Sequence, residues 1–114
     1  MRAYQLPQGT GIDALVKADL PTPKPGPRQV LIKVGACSLN FRDLAITLGT
    51  YRMPTKPNLV PLSDGAGEVV EIGTGVTHVR VGDRVAGCFF QHWIGALRPP
   101  TLIPARWAAA SMEC

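Results

Sequence analysis

The polar residues that could do chemistry gather in two short stretches. Asn40, Arg42 and Asp43 are followed by Tyr51, and Ser63-Asp64 stands just before a glycine-rich run. Asn40, Arg42, Tyr51 and Ser63 all carry hydrogen-bond donors, which is what a site needs to polarise a substrate oxygen. Each also has a plainer use. Asn40 suits the cap of a helix, Asp64 a tight turn whose backbone N–H groups need an acceptor, and Asp43 an ion pair with Arg42 or Arg52. Other chemistries lack their residues. Cys37, Cys88 and Cys114 are irregularly spaced, and His78 and His92 are isolated, so no metal site is predicted. No GxGxxG run is present, and Gly73-Thr74-Gly75-Val76 leads into strand-like sequence rather than a helix, so it reads as a turn and not a phosphate cradle.

These residues must be held by the segment from Asn58 to Gly87 and by what pairs with it. Gly65 and Gly67 mark a point where the backbone bends or is closely approached. Glu68 to Ile72 is rich in β-branched residues and reads as a strand ending at the Gly73-Thr74-Gly75 turn. Val76, Val79 and Val81 predict a short second strand, Gly82-Asp83 a tight turn, and Arg84-Val85-Ala86 a third extended segment.

Upstream, Met1 to Leu6 and Asp13 to Leu20 alternate apolar and polar residues and predict two strands. The proline-rich connector Pro21 to Pro27 excludes both helix and central strand. Gln29 to Leu39 predicts a strand, with Val30, Ile32 and Val34 on its buried face and Leu31, Lys33 and Gly35 on a partly covered one. The period then changes. Phe41, Leu44, Ala45 and Leu48 fall at helical spacing behind Asn40 as N-cap, and Gly49 sits where a left-handed C-terminal cap belongs, predicting a helix of about two turns. Thr50 to Pro61 carries three prolines and reads as an ordered surface loop.

Hydrophobic residues make up 46% of the 114 and charged ones 18%, which favours one packed domain over disorder. Twelve glycines and eleven prolines point to short strands and many turns. The net charge of +4 is spread over single Lys and Arg residues, which argues against a nucleic-acid partner. Neither a signal-peptide core nor a run of about 18 apolar residues is present, so no membrane association is expected. The odd cysteine count suits a reducing cytoplasm.

Pro61-x-Ser63-Asp64-Gly65-Ala66-Gly67, then Gly73-x-Gly75-Val76, then Val81-Gly82-Asp83-Arg84-Val85 resemble, in that order, the N-terminal domain of the medium-chain dehydrogenase/reductase superfamily. The nearer branch is that of the zinc-free, quinone-oxidoreductase-like alcohol dehydrogenases. The resemblance covers residues 1–95 and implies a mainly β fold, a GroES-like, partly open barrel with one short helix. It implies a cleft lined by Asn40, Asp43, Tyr51 and Asp64 with Arg42 and Ser63 nearby. Asn40 would orient nicotinamide or substrate, and Tyr51 would donate to a carbonyl or quinone oxygen while NAD(P)H delivers hydride. Where zinc-dependent members carry a cysteine and a His-Glu pair, this sequence has Asn40 and Ser63-Asp64, so zinc is not expected.

Family character fades after residue 95. The tail, 96–114, is atypical, and a shifted reading frame in a GC-rich coding stretch would turn its last part, Ala105 to Cys114, into a glycine-rich peptide like the family's continuation. The expectation is a truncated reductase without its Rossmann domain, unable to hold the dinucleotide tightly or turn over alone. Apolar surface around Phe89, Phe90 and Trp93 would then be exposed and promote self-association. The other reading is a stand-alone interaction module, since co-chaperonins share this barrel.

Overall fold

The computed structural model describes residues 1–7, 11–52 and 55–87. The tail, Cys88, His92 and the apolar residues Phe89, Phe90 and Trp93 lie outside them, as do the surface and the domain boundary predicted there. The described chain is mainly β with one α-helix, and its strands form two antiparallel sheets without closing into a barrel. That is part of the expected GroES-like fold.

The alternating N-terminal segments pair as β1 (Arg2–Gln5) and β2 (Val16–Asp19). The second is shorter than its sequence pattern predicts, because Ile12–Ala14 winds into a 3-10 turn instead. Leu6 extends β1 by a bridge to Leu59, tying this small sheet to the proline-rich loop. The larger sheet has the order β3 (Val30–Ser38), β4 (Asp64–Ile72), β5 (Arg84–Ala86). The Pro21 to Pro27 connector carries no regular element, as missing donors and fixed φ angles require.

The β3–β4 pairing runs from Val30 opposite Ile72 to Ser38 opposite Asp64, with irregularities at Leu31/Ile32 and Val34/Ala36. Val30, Ile32 and Val34 are half-buried and Lys33 and Gly35 exposed, in line with the expected faces, but Leu31, beside the first irregularity, departs from them by being the buried residue of β3. A bulge places an extra residue against one strand and re-aims the side chains that follow. Opposite Ile32 lies Val69, fully buried at 0% exposure, and the apolar core comprises it with Ala3, Leu6, Leu31, Ala45 and Ile46.

One predicted element of the 58–87 segment is corrected and one is resolved. The Gly65-Ala66-Gly67 stretch begins β4, and of the expected bend or close approach the second holds, at Gly67, where a Cβ would fall on the Lys33 carbonyl. No strand forms over residues 76–81. The backbone of Val69 is taken by the following turn, with Val69 N–H donating to Asp83 O at 2.9 Å and Gly82 N–H to Val69 O at 2.8 Å. Val81 stays 59% exposed while Val76 and Val79 are half-buried in the loop that leads to this turn.

Candidate functional site

The helix α1 (Phe41–Thr47) begins and ends where its cap residues dictate. Asn40 is extended, at φ −120° and ψ 159°, and forms a capping box with Asp43, whose Oδ2 accepts the Asn40 backbone N–H at 2.9 Å. Gly49 takes φ 70°, the left-handed conformation that ends a helix at little cost without a Cβ. Which face is buried differs from the spacing of apolar residues. Asp43, Ala45, Ile46 and Thr47 face the core, whereas Phe41, Leu44 and Leu48 are exposed, Phe41 at 84%. The capping geometry fixes the rotation: Asp43 must turn inward to reach Asn40 N–H, and this carries the apolar stripe outward.

Strand register brings the second polar stretch to the same place. Ser38, the last residue of β3, pairs with Asp64, the first of β4, and Asn40 follows two residues later. The Asn40 carboxamide Nδ2 donates to Asp64 Oδ2 at 2.6 Å and to Ser38 Oγ at 3.3 Å. Thus Asp64 accepts a side-chain amide across the sheet end rather than backbone donors in a tight turn. The Asp43 carboxylate binds the Asn40 backbone rather than pairing with Arg42 or Arg52; its Oδ1 is buried without a hydrogen-bond partner. Such an oxygen carries a desolvation cost that only an added donor would relieve.

Tyr51 is placed by the other end of α1. Its N–H donates to Ala45 O at 3.2 Å, beside the Thr50 N–H to the same carbonyl at 2.9 Å. The phenol oxygen accepts from Arg42 Nε at 3.1 Å, and the guanidinium carbon lies 5.0 Å from the ring centroid. Ser63 is buried, at 6% exposure. Immediately before it, Leu62 holds φ 75°, a conformation costly for a bulky side chain and of the kind that clusters where a structure over-determines its backbone.

The predicted residues therefore resolve into two groups around one helix: Asn40 and Asp43 with Asp64 of β4, and Arg42 with Tyr51 just beyond the helix end. Ser63 is beside Asp64 in sequence but turned into the interior. Ser38 was not among the candidates. The signal for it was its place two residues before Asn40 on a strand whose register ends at Asp64. The strain at Leu62 has no sequence signal. Among the described residues, no three of His, Cys, Asp and Glu come together as a metal site would require, and His78 is exposed.

Replacing Asn40 by Ala removes the cap side chain and the partner of Asp64 together. An expected loss of about 1–2 kcal/mol follows, read as a lower denaturation midpoint with unchanged slope. Asn40→Asp keeps a capping oxygen but sets a carboxylate against Asp64, and is expected to be no less damaging.

Comparison with known proteins matches residues 26–103 to the alcohol dehydrogenase GroES-like domain. A zinc-type alcohol dehydrogenase-like protein of Schizosaccharomyces pombe is 41% identical over 86 residues, 75% of this chain and 25% of that protein. Among solved structures, the human synaptic vesicle membrane protein VAT-1 homolog-like protein is 36% identical with a TM-score of 0.72, over 75% of this chain and 28% of its own. The Escherichia coli quinone oxidoreductase complexed with NADPH is 28% identical with a TM-score of 0.67, over 75% of this chain and 26% of its own. The chain thus spans little more than a quarter of these relatives. With the matched segment covering most of the strands, α1 and both polar groups, the chain belongs to the alcohol dehydrogenase GroES-like domain family.

Proposed function

We propose that this chain supplies the substrate-binding wall of an NAD(P)H-dependent oxidoreductase that reduces a small carbonyl or quinone without zinc. The observation that carries the reading is the arrangement on α1: a phenol held by Arg42 and a carboxamide held by Asp64, each aimed by a partner fixed to the same helix or to the strand beside it. Family membership and the oxidoreductase relatives support it.

In this reading Tyr51 donates its O–H proton to the substrate oxygen as negative charge develops there, while Arg42 occupies the phenol's acceptor side. Asn40 presents the remaining hydrogen-bonding capacity of its carboxamide to the nicotinamide amide or the substrate, with Asp64 fixing its orientation. Asp43 holds the Asn40 backbone and thereby the start of the helix. The bound nicotinamide supplies the hydride. The donor set does not fit zinc, because the Asn40 amide nitrogen is a donor engaged by a carboxylate and Ser63 is an interior hydroxyl. Nor do the described residues fit a dinucleotide by themselves. The Gly73-Thr74-Gly75 turn leads to no helix, so cofactor binding is assigned to a Rossmann half outside the described residues, with residues 1–95 as the catalytic domain. A cytoplasmic place accords with the cysteine count; among the described residues no helix is long and apolar enough to cross a membrane.

The test is complementation. The chain mixed with the nucleotide-binding half of a quinone oxidoreductase relative is expected to oxidise NADPH in the presence of a quinone, and neither part alone. Loss of NADPH absorbance no faster in the mixture than with the separate parts contradicts the reading.

A second reading, a non-catalytic interaction module, is favoured by the exposed stripe of Phe41, Leu44 and Leu48 with Leu39 at 83% exposure. Either reading predicts self-association of the isolated chain and binding of a hydrophobic-surface dye, reduced in Phe41→Ser. A monomer that leaves the dye dark contradicts this. Assembly into a closed ring would favour the module.

A further inference from the structure

We propose that Arg42 is the positioning residue of the site: it fixes the Tyr51 phenol in location and tilt and does not itself contact the substrate. The inference rests on the function proposed above for its consequence in turnover, but on geometry alone for the hold itself.

Arg42 makes two different contacts with one side chain. Its Nε donates to the Tyr51 hydroxyl at 3.1 Å, and its guanidinium carbon stands 5.0 Å from the centre of the same ring. A hydrogen bond to the hydroxyl alone leaves the ring able to swing about it, and a charge near the ring alone leaves the hydroxyl undirected. Together they restrict both motions. The contact is anchored at both ends on α1. Arg42 lies inside the turn locked by Asn40 and Asp43, and Tyr51 is tied through its N–H to Ala45 O. Both residues are half-buried, which distinguishes this pair from Lys17 and the 51%-exposed Tyr4, where the ammonium stands 5.8 Å from the ring centre.

Guanidinium can only donate, so toward Arg42 the phenol oxygen acts as acceptor. A planar fork serves this double contact, and an ammonium does not reproduce it. The consequence for a reaction is specific. A phenol held in place has less conformational freedom to lose as the proton moves, so removing the hold slows the chemical step more than it weakens substrate binding.

The chain contains only two tyrosines, which makes the hold directly observable. With both replaced by fluorotyrosine, fluorine NMR of the 114-residue chain gives two lines, assigned by Tyr51→Phe. Arg42→Met is expected to move and broaden the Tyr51 line and leave that of Tyr4 in place. Should Arg42→Met disturb both lines through loss of the fold, Arg42→Lys, which keeps the charge and the stem, decides between the outcomes. A Tyr51 line unmoved relative to Tyr4 overturns the proposal. In the complemented enzyme, Arg42→Met is expected to lower kcat about tenfold with KM nearly unchanged, and to cost nothing further in the Tyr51→Phe background. A full additional loss in that background overturns the positioning role. Normal turnover by Tyr51→Phe alone would instead sink the proposed function while leaving the NMR result standing.

Discussion

Tyr51→Phe is expected to lower kcat of the complemented enzyme by about a hundredfold or more, the range typical for loss of a positioned proton donor. The substitution removes one oxygen and keeps the ring, so the cation–π contact with the Arg42 guanidinium 5.0 Å from the ring centre survives. The helix C-terminus is held by backbone bonds from Gly49, Thr50 and Tyr51, none of which needs the hydroxyl. Stability should therefore change by less than about 1 kcal/mol, the net worth of one hydrogen bond that leaves a half-buried Arg42 still able to reach water. The expected signature is a large drop in kcat with nearly unchanged KM and denaturation midpoint. A fall in stability matching the fall in rate would mean that the hydroxyl is structural, and an unchanged rate would remove Tyr51 from the mechanism.

Gly67→Ala is expected to prevent folding or to cost about 3 kcal/mol or more, beyond the usual overpacking range. At that position β3 and β4 run so close that the new methyl would coincide with the Lys33 carbonyl, and backbone cannot yield as a flexible side chain does. Relief requires β3 and β4 to part in the middle of their pairing, where Gly67 lies opposite Val34, three residues along β4 from Asp64, so the Asn40–Asp64 bond at 2.6 Å should be weakened with it. Gly65→Ala is the control. Its Cβ would meet Cys37 Sγ at 3.5 Å, an ordinary contact, and should cost far less. Chemical denaturation of the two variants side by side decides this, and equal midpoints would contradict the close approach.

Motifs made of turn and cap residues were the most legible part of the sequence. Asn40 and Gly49 bracket α1 because their local backbone preferences need no tertiary help, and the β3 and β4 strands follow from runs of β-branched residues. The errors lie where long-range contacts decide. The helix stripe of Phe41, Leu44 and Leu48 has the right period yet faces outward, since the capping box turns Asp43 inward. The valines at 76, 79 and 81 have strand propensity but form no strand, and it is the turn at Gly82-Asp83 that takes up the backbone of Val69. Asn40, Arg42, Tyr51 and Asp64 were all identifiable as polar candidates. Their pairing was not, since it depends on the β3–β4 register and on where the chain returns after α1.

The exposed apolar side of α1 and the orphaned Asp43 Oδ1 share one implication in the proposed reading, that this wall is completed by atoms from elsewhere. The most direct measurement is a calorimetric titration of NADPH into the isolated 114-residue chain. The account predicts no saturable heat, because the hydride donor is held by the other half. Tight, saturable binding of the dinucleotide by this chain alone would contradict it.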